Sequence, residues 1–344
     1  MKKTAILLII AAAFASLSGA ALAQQKDKGK AKANTKAKAK KKQPQTWKER
    51  AAARLKPPTT QQKNAIRQAL PGKSTVQPKK DRRVLVFWRS ETFIHTSILH
   101  GNYCLGEMGR KARAWKTDFA DEYSVFTKEN LANYDAVIFN NTTSVTFEND
   151  AQRDALMGFV KSGKGIAGIH AAGDSFYKWK LAASMIGGQF NGHPWTAGGT
   201  WAFKLNDPTH PLNKAFAGKG FWHKDEIYQY KPATYAGDDN LRILVSLDMS
   251  QDAVSKVLDN ERFKRYEKDY GKGPREVPVS WLREFQGGRV FFSNLGHNES
   301  TYANPAVLKH FLDGIQYALG DLSADATPTT KAGKMRPALA PAKK

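Results

Sequence analysis

Four of the eight histidines occupy settings in which an imidazole could do chemistry. His95 lies in Phe93-Ile94-His95-Thr96-Ser97 and His170 in Gly168-Ile169-His170-Ala171-Ala172-Gly173-Asp174. His193 lies in Gly187-Gly188-Gln189-Phe190-Asn191-Gly192-His193-Pro194, and His297 closes Gly288-Arg289-Val290-Phe291-Phe292-Ser293-Asn294-Leu295-Gly296-His297. Imidazole titrates near neutrality, so each ring can give or take a proton. His170 is the first choice, because a histidine on a tight strand-to-helix turn projects into a crevice. Asp174, four residues on, is placed to orient it. Asp225 and Glu226 are paired acids close to Tyr228. On a strand they would face opposite sides, so at most one enters a site, and Glu226 is favoured. Histidines and acids together could hold Zn²⁺ or a similar ion, although their spacing matches no compact metal motif. The competing reading is that each imidazole caps its own loop.

The elements that must position these groups alternate. Arg83–Trp88, Ala114–Ala120, Asp135–Asn140 and Gly165–Ile169 read as strands, and Ser97–Ala112 and Glu148–Ser162 as helices. Alternation with short connections predicts an α/β domain with a mostly parallel, doubly wound sheet. Ligands of such sheets bind outside the carboxyl ends of the strands. Those ends carry Trp88-Arg89-Ser90, Asn140-Asn141-Thr142 and the His170 turn, which makes Asn141 a further candidate. The second half is richer in strands: Thr200–Leu205, Glu226–Tyr230, Leu241–Leu247, Val279–Phe285 and Arg289–Asn294. Gln286-Gly287-Gly288 signals a hairpin. Asn304–Leu319 reads as a final helix with Pro305 at its first position. The very polar stretch Gln251–Glu276 reads as a surface insertion.

The ends differ in kind from the middle. Residues 1–23 have a Lys start, a short apolar run and an Ala21-Leu22-Ala23 site, the features of a secretory signal peptide. Export to the periplasm or the medium is the expectation. The net charge of +23 suggests nucleic acid, but its distribution opposes that. From Gln24 to Arg83 there are 20 Lys/Arg against 3 acids; from Val84 to Gly320 there are 27 against 26. A nearly neutral domain therefore follows a basic tail that has no interleaved aromatics to stack bases. Residues 24–81 and 321–344 are read as disordered tails, with a loose helix around Trp47–Ala51. The basic tail could contact an anionic envelope surface. Cys104 is the lone cysteine, so no internal disulfide forms and stability must come from a core.

The ordered set of His95, His170, His193 and His297 segments, with Lys224-Asp225-Glu226-Ile227-Tyr228, resembles the ThuA-like family, named for trehalose utilisation. The likeness spans nearly all of residues 82–320. It implies a flavodoxin-like fold related to class I glutamine amidotransferases. In those enzymes a cysteine nucleophile follows a central strand, where this chain carries His170; cysteine glutaminase chemistry is therefore not expected. The resemblance implies sugar metabolism, with a small carbohydrate, disaccharide or keto-sugar as substrate. The leading expectation is acid–base chemistry by His170, Asp174, Glu226 and His297, with His95, Asn141, His193 and Tyr228 lining the substrate. Two alternatives stand beside it. One is a non-catalytic carbohydrate-binding module; the other is a metal-dependent hydrolase holding a divalent ion.

Overall fold

The computed structural model describes residues 46–264 and 276–343. The expected signal peptide and the Lys-rich run up to residue 45 lie outside these residues, as does the middle of the polar insertion. Among the described residues nine strands form one sheet: β1 (Arg83–Phe87), β2 (Lys116–Ala120), β3 (Ala136–Asn140), β4 (Gly165–Ile169), β5 (Thr200–Leu205), β6 (Phe221–Lys224), β7 (Arg242–Leu247), β8 (Pro278–Phe285) and β9 (Gly288–Ser293). Among the described residues eight α-helices accompany them: α1 (Trp47–Arg54), α2 (Thr60–Ala69), α3 (Ile98–Ala112), α4 (Lys128–Leu131), α5 (Asp150–Lys161), α6 (Lys180–Ile186), α7 (Asp252–Ser255) and α8 (Pro305–Ala318).

The strand order is β2-β1-β3-β4-β9-β8-β7-β5-β6. The first five strands are parallel; β8, β7, β5 and β6 extend the sheet antiparallel. The parallel part has the flavodoxin-type order, whose switch point lies between β1 and β3. Alternation along the strands feeds two cores. Val84, Val86 and Ile138 face α2, α3 and α8, while Leu85, Phe87 and Phe139 face α5 and α6. Burial on both faces explains why these strands are continuous apolar runs rather than alternating ones.

Four expectations need correction. Residues 46–81 are not a loose tail. Thr46 with Glu49, and Thr59 with Gln62, form reciprocal capping boxes that start α1 and α2. Trp47, Ile66 and Leu70 are buried against the domain. A few apolar anchors suffice where the average composition looks unfoldable. Residues 321–343 likewise lie along the sheet: Ala338 and Leu205 exchange backbone hydrogen bonds, and Ala340 donates to Asp248. Glu226–Tyr230 is not a strand; the paired segment is Phe221–Lys224, and Ile227 and Tyr230 make only isolated bridges. The described part of the polar insertion is not wholly superficial, since Val254 is fully buried. Among the described residues no helix is long and apolar enough to cross a membrane.

Candidate active site

The carboxyl edge of the parallel sheet carries the chemistry. His95 follows β1, Asn141 follows β3, His170 follows β4 and His297 follows β9. Backbone strain is concentrated in the same loops. Asn141, Ser144, Phe147, His170 and Phe176 all have positive φ, between 47° and 62°, a conformation that non-glycine residues seldom adopt. Such strain persists only where the surroundings over-determine it. His170 (φ 47°) takes this conformation at the residue directly after β4.

One nitrogen or oxygen from each of His95, His170, Glu226 and His297 lies within 4.8 Å of the others. His297 Nδ1 is 3.2 Å from His170 Nε2 and 3.0 Å from Glu226 Oε2. His170 Nε2 is 3.7 Å from the same carboxylate oxygen. The His95 ring stands nearly perpendicular to both other rings, with centroids 4.9 and 5.0 Å away. His170, His95 and Glu226 are buried, whereas the His297 side chain is 21% exposed, so the cluster opens on that side. His193 stands at the opening, with its Nδ1 3.2 Å from Glu226 Oε1. Glu226 thus turns one oxygen to the cluster and the other to His193.

The surroundings set protonation and direction. The main-chain carbonyl of Asn294 lies 2.7 Å from His170 Nδ1. A carbonyl only accepts, so Nδ1 carries the proton and a neutral ring directs its Nε2 lone pair into the cluster. Burial drives His95 well below the ordinary imidazole range, and the neighbouring His170 and His297 add to this. Burial pushes the Glu226 carboxyl up, but hydrogen bonds and charge from His170 and His297 in their protonated forms outweigh it and hold the group well below the usual carboxylate range. Beneath the cluster, Asp225 accepts hydrogen bonds from the main-chain amides of Glu226, Gly296 and Asn298 and from the Thr301 hydroxyl. It thereby fixes the loops that carry Glu226 and His297.

The ThuA family, described as trehalose utilisation, matches residues 83–318, which is most of the chain. The chain belongs to that family. In structure it is similar to a putative ThuA-like protein from Bacteroides uniformis, with a TM-score of 0.53, 19% identity, and 70% of this chain and 93% of that chain covered. A putative ThuA-like protein from Parabacteroides merdae gives 0.51 and 17%, covering 73% and 96%. At these identities the likeness establishes the fold. No curated protein matches the sequence. Membership places the chain in carbohydrate metabolism.

Within this ThuA-family domain the candidates separate clearly. His95, His170, Glu226 and His297 meet, with His193 adjoining. The Tyr228 hydroxyl is 3.4 Å from His95 Nε2, and its ring lies 4.6 Å from that of His170. Asp174 stands at the edge and accepts from the Tyr177 hydroxyl. Asn141 is different: it is fully buried and donates to Tyr302 Oη and Asn140 Oδ1, so it supports the loop rather than facing a substrate. The preference for Glu226 over Asp225 matches the geometry, but through loop turns rather than strand alternation. Cys104 is buried in α3 and away from the cluster, and burial pushes its thiol far up. Sequence reasoning gave no role to Asn294 or Asp225. Asn294 directly follows β9 and Asp225 adjoins Glu226, so position alone marked them as neighbours of site residues.

Proposed function

We propose that this ThuA-family chain is an enzyme acting on a sugar or keto-sugar, with its reacting centre a divalent metal ion held by His95, His170, Glu226 and His297. The observation that carries the reading is the convergence of three imidazole nitrogens and one ionised carboxylate, with His170 locked in the tautomer a ligand needs. Ring N–H to carbonyl contacts of this kind orient metal-bound histidines generally. The spacings of 3.0, 3.2 and 3.7 Å among His297, His170 and Glu226 agree with the roughly 3.4 Å expected between ligands about 2.1 Å from one tetrahedral ion. Three nitrogens and one oxygen suit a first-row transition ion better than Mg²⁺ or Ca²⁺. A bound ion would supply a water of lowered pKa and polarise a substrate oxygen. The protein's own part is to orient the donors, exclude water on the His95 side and leave the His297 and His193 side open. Asp174 and His193 at the rim are available for proton exchange with substrate hydroxyls.

The reading is tested by metal analysis of the purified protein and turnover of disaccharides and their keto forms, with and without chelator. The expected result is close to one transition ion per chain, activity lost on chelation and activity restored by Zn²⁺ or Mn²⁺. Sugar turnover that ignores chelator would return the cluster to simple acid–base catalysis. Sugar binding without turnover would favour the non-catalytic module. Export, and contact of the basic segment with an anionic envelope, belong to the same proposal. Cell fractionation and sedimentation with anionic vesicles test them.

A further inference from the structure

The three histidines of the cluster are held in unequal ways. His170 is fixed by its ring hydrogen bond to the Asn294 carbonyl and by its own strained turn. His297 is fixed through the loop that Asp225 pins at Gly296 and Asn298. Among the described residues His95 has no comparable support of its own: its buried Nδ1 has no hydrogen-bond partner, and its Nε2 has a single hydrogen-bond contact, the Tyr228 hydroxyl at 3.4 Å. Its position therefore depends on the backbone of residues 88–97.

That backbone is gripped by α1, an element contributed by the segment ahead of the α/β domain. Arg50 donates from Nη2 to the Ser90 carbonyl and from Nη1 to the Thr92 carbonyl, each at 3.2 Å. Arg54 donates from Nε to the Ile94 carbonyl at 3.3 Å. Alternate carbonyls leading up to His95 thus end on two arginines one helical turn apart. Residues i and i+4 share a helix face, so both guanidinium groups reach the same loop segment. The Arg54 guanidinium also lies 5.8 Å from the Phe93 ring centroid, and the Phe93 ring stands edge-on to His95 at 4.7 Å. The remaining contacts anchor α1 itself. Trp47 packs edge-on against Trp88 and donates to Asp121; Trp47 and Ala51 form a small separate core with Ile94 and Ile98.

We infer that Arg50 and Arg54 are positioning residues for His95, so that helix α1, outside the α/β domain proper, completes the metal centre. The inference rests on the metal reading above. It makes the centre a joint product of two parts of the chain. The arginines hold the carbonyls and not the ring, so they set where His95 sits; the Arg54 charge adds only the last of the contributions, after burial and the neighbouring histidines, that lower the His95 imidazole.

The test uses the full chain with Arg50→Ala, Arg54→Ala, the double variant and Arg54→Lys. Zn²⁺ affinity is measured by competition with a chromophoric chelator, the thermal midpoint is measured on metal-free protein, and hydrogen exchange is followed over residues 88–97. The expected result is Zn²⁺ binding weakened about tenfold or more in the double variant, in the range typical of lost outer partners. Faster exchange should be confined to residues 88–97, with a far smaller effect in Arg54→Lys, which keeps a donor. A lowered thermal midpoint without loss of Zn²⁺ affinity would reduce the arginines to scaffolding and overturn the inference. Equal affinity in wild type and double variant would overturn it while leaving the metal reading intact. A wild-type chain that takes up no Zn²⁺ would remove the metal reading and this inference with it.

Discussion

At the scale of single residues, environment rather than identity separates the groups. Four other histidines, His100, His210, His223 and His310, are buried or nearly so within the scaffold; His310, for example, contacts Ser280 and the Leu212 carbonyl. Only the four on the carboxyl edge gather around a carboxylate. Glu226→Gln keeps the shape and removes the charge. It should weaken metal binding by more than the roughly 10–100-fold typical of outer partners and abolish turnover, checked by metal titration and kinetics. Asp174 offers a pH test. Burial pushes its carboxyl up to about 6, with the Tyr177 hydroxyl pulling the other way. A raised carboxyl stabilises the fold while protonated. That contribution is full below about pH 4 and is lost as pH rises through about 6. Asp174→Asn should flatten the fall in stability across this window, as read by urea unfolding at successive pH values; an unchanged slope would refute it. Cys104 should resist alkylation in the native protein, because its thiol is buried and stays protonated.

Elements convert those residues into a site through their ends and loops. Strands β1, β3, β4 and β9 are neighbours in one parallel sheet, so their carboxyl ends share an edge. The loop after β9 needs Gly296 at φ 127°, where an added Cβ would meet Tyr302 Oη at 2.9 Å and Ile169 Cγ2 at 3.0 Å. Asp225 holds that loop from below. Asp225→Ala would leave several buried donors unsatisfied, each worth about 1–3 kcal/mol and not additive. The expected loss is about 2–4 kcal/mol of stability, together with weaker metal binding as His297 is released. Denaturant unfolding and metal titration on the same preparation check both; a stable variant with normal affinity would contradict the role.

At the scale of the whole molecule, the α/β domain does not end where its strands do. Trp47, Ile66 and Leu70 are at most 4% exposed, and each such side chain is worth about 1.5–3 kcal/mol when buried. A chain shortened to begin at Arg82 should therefore lose several kcal/mol and unfold well below the parent in calorimetry. Limited proteolysis should accordingly leave a resistant fragment that retains Trp47 and the two helices; a stable core beginning at Arg82 would contradict this packing.

The sequence by itself determined the parallel strands, the helices between them and the final capped helix, because those signals are local: apolar runs, periodicity, Gly and Pro stops. It also marked His95, His170, His193 and His297 as strand-end or loop residues, since polarity directly after an apolar strand is visible in one dimension. The meeting of those rings was decided by strand order, which no local pattern encodes. Tertiary structure alone brought Glu226 against the three rings, turned Asn141 inward and gave Asn294 its hold on His170, because each depends on a loop direction fixed by distant partners. It alone also recruited residues 46–81. Their composition is dominated by exposed basic and small residues, and the few side chains that fold them gain their energy only by burial against a surface built elsewhere in the chain.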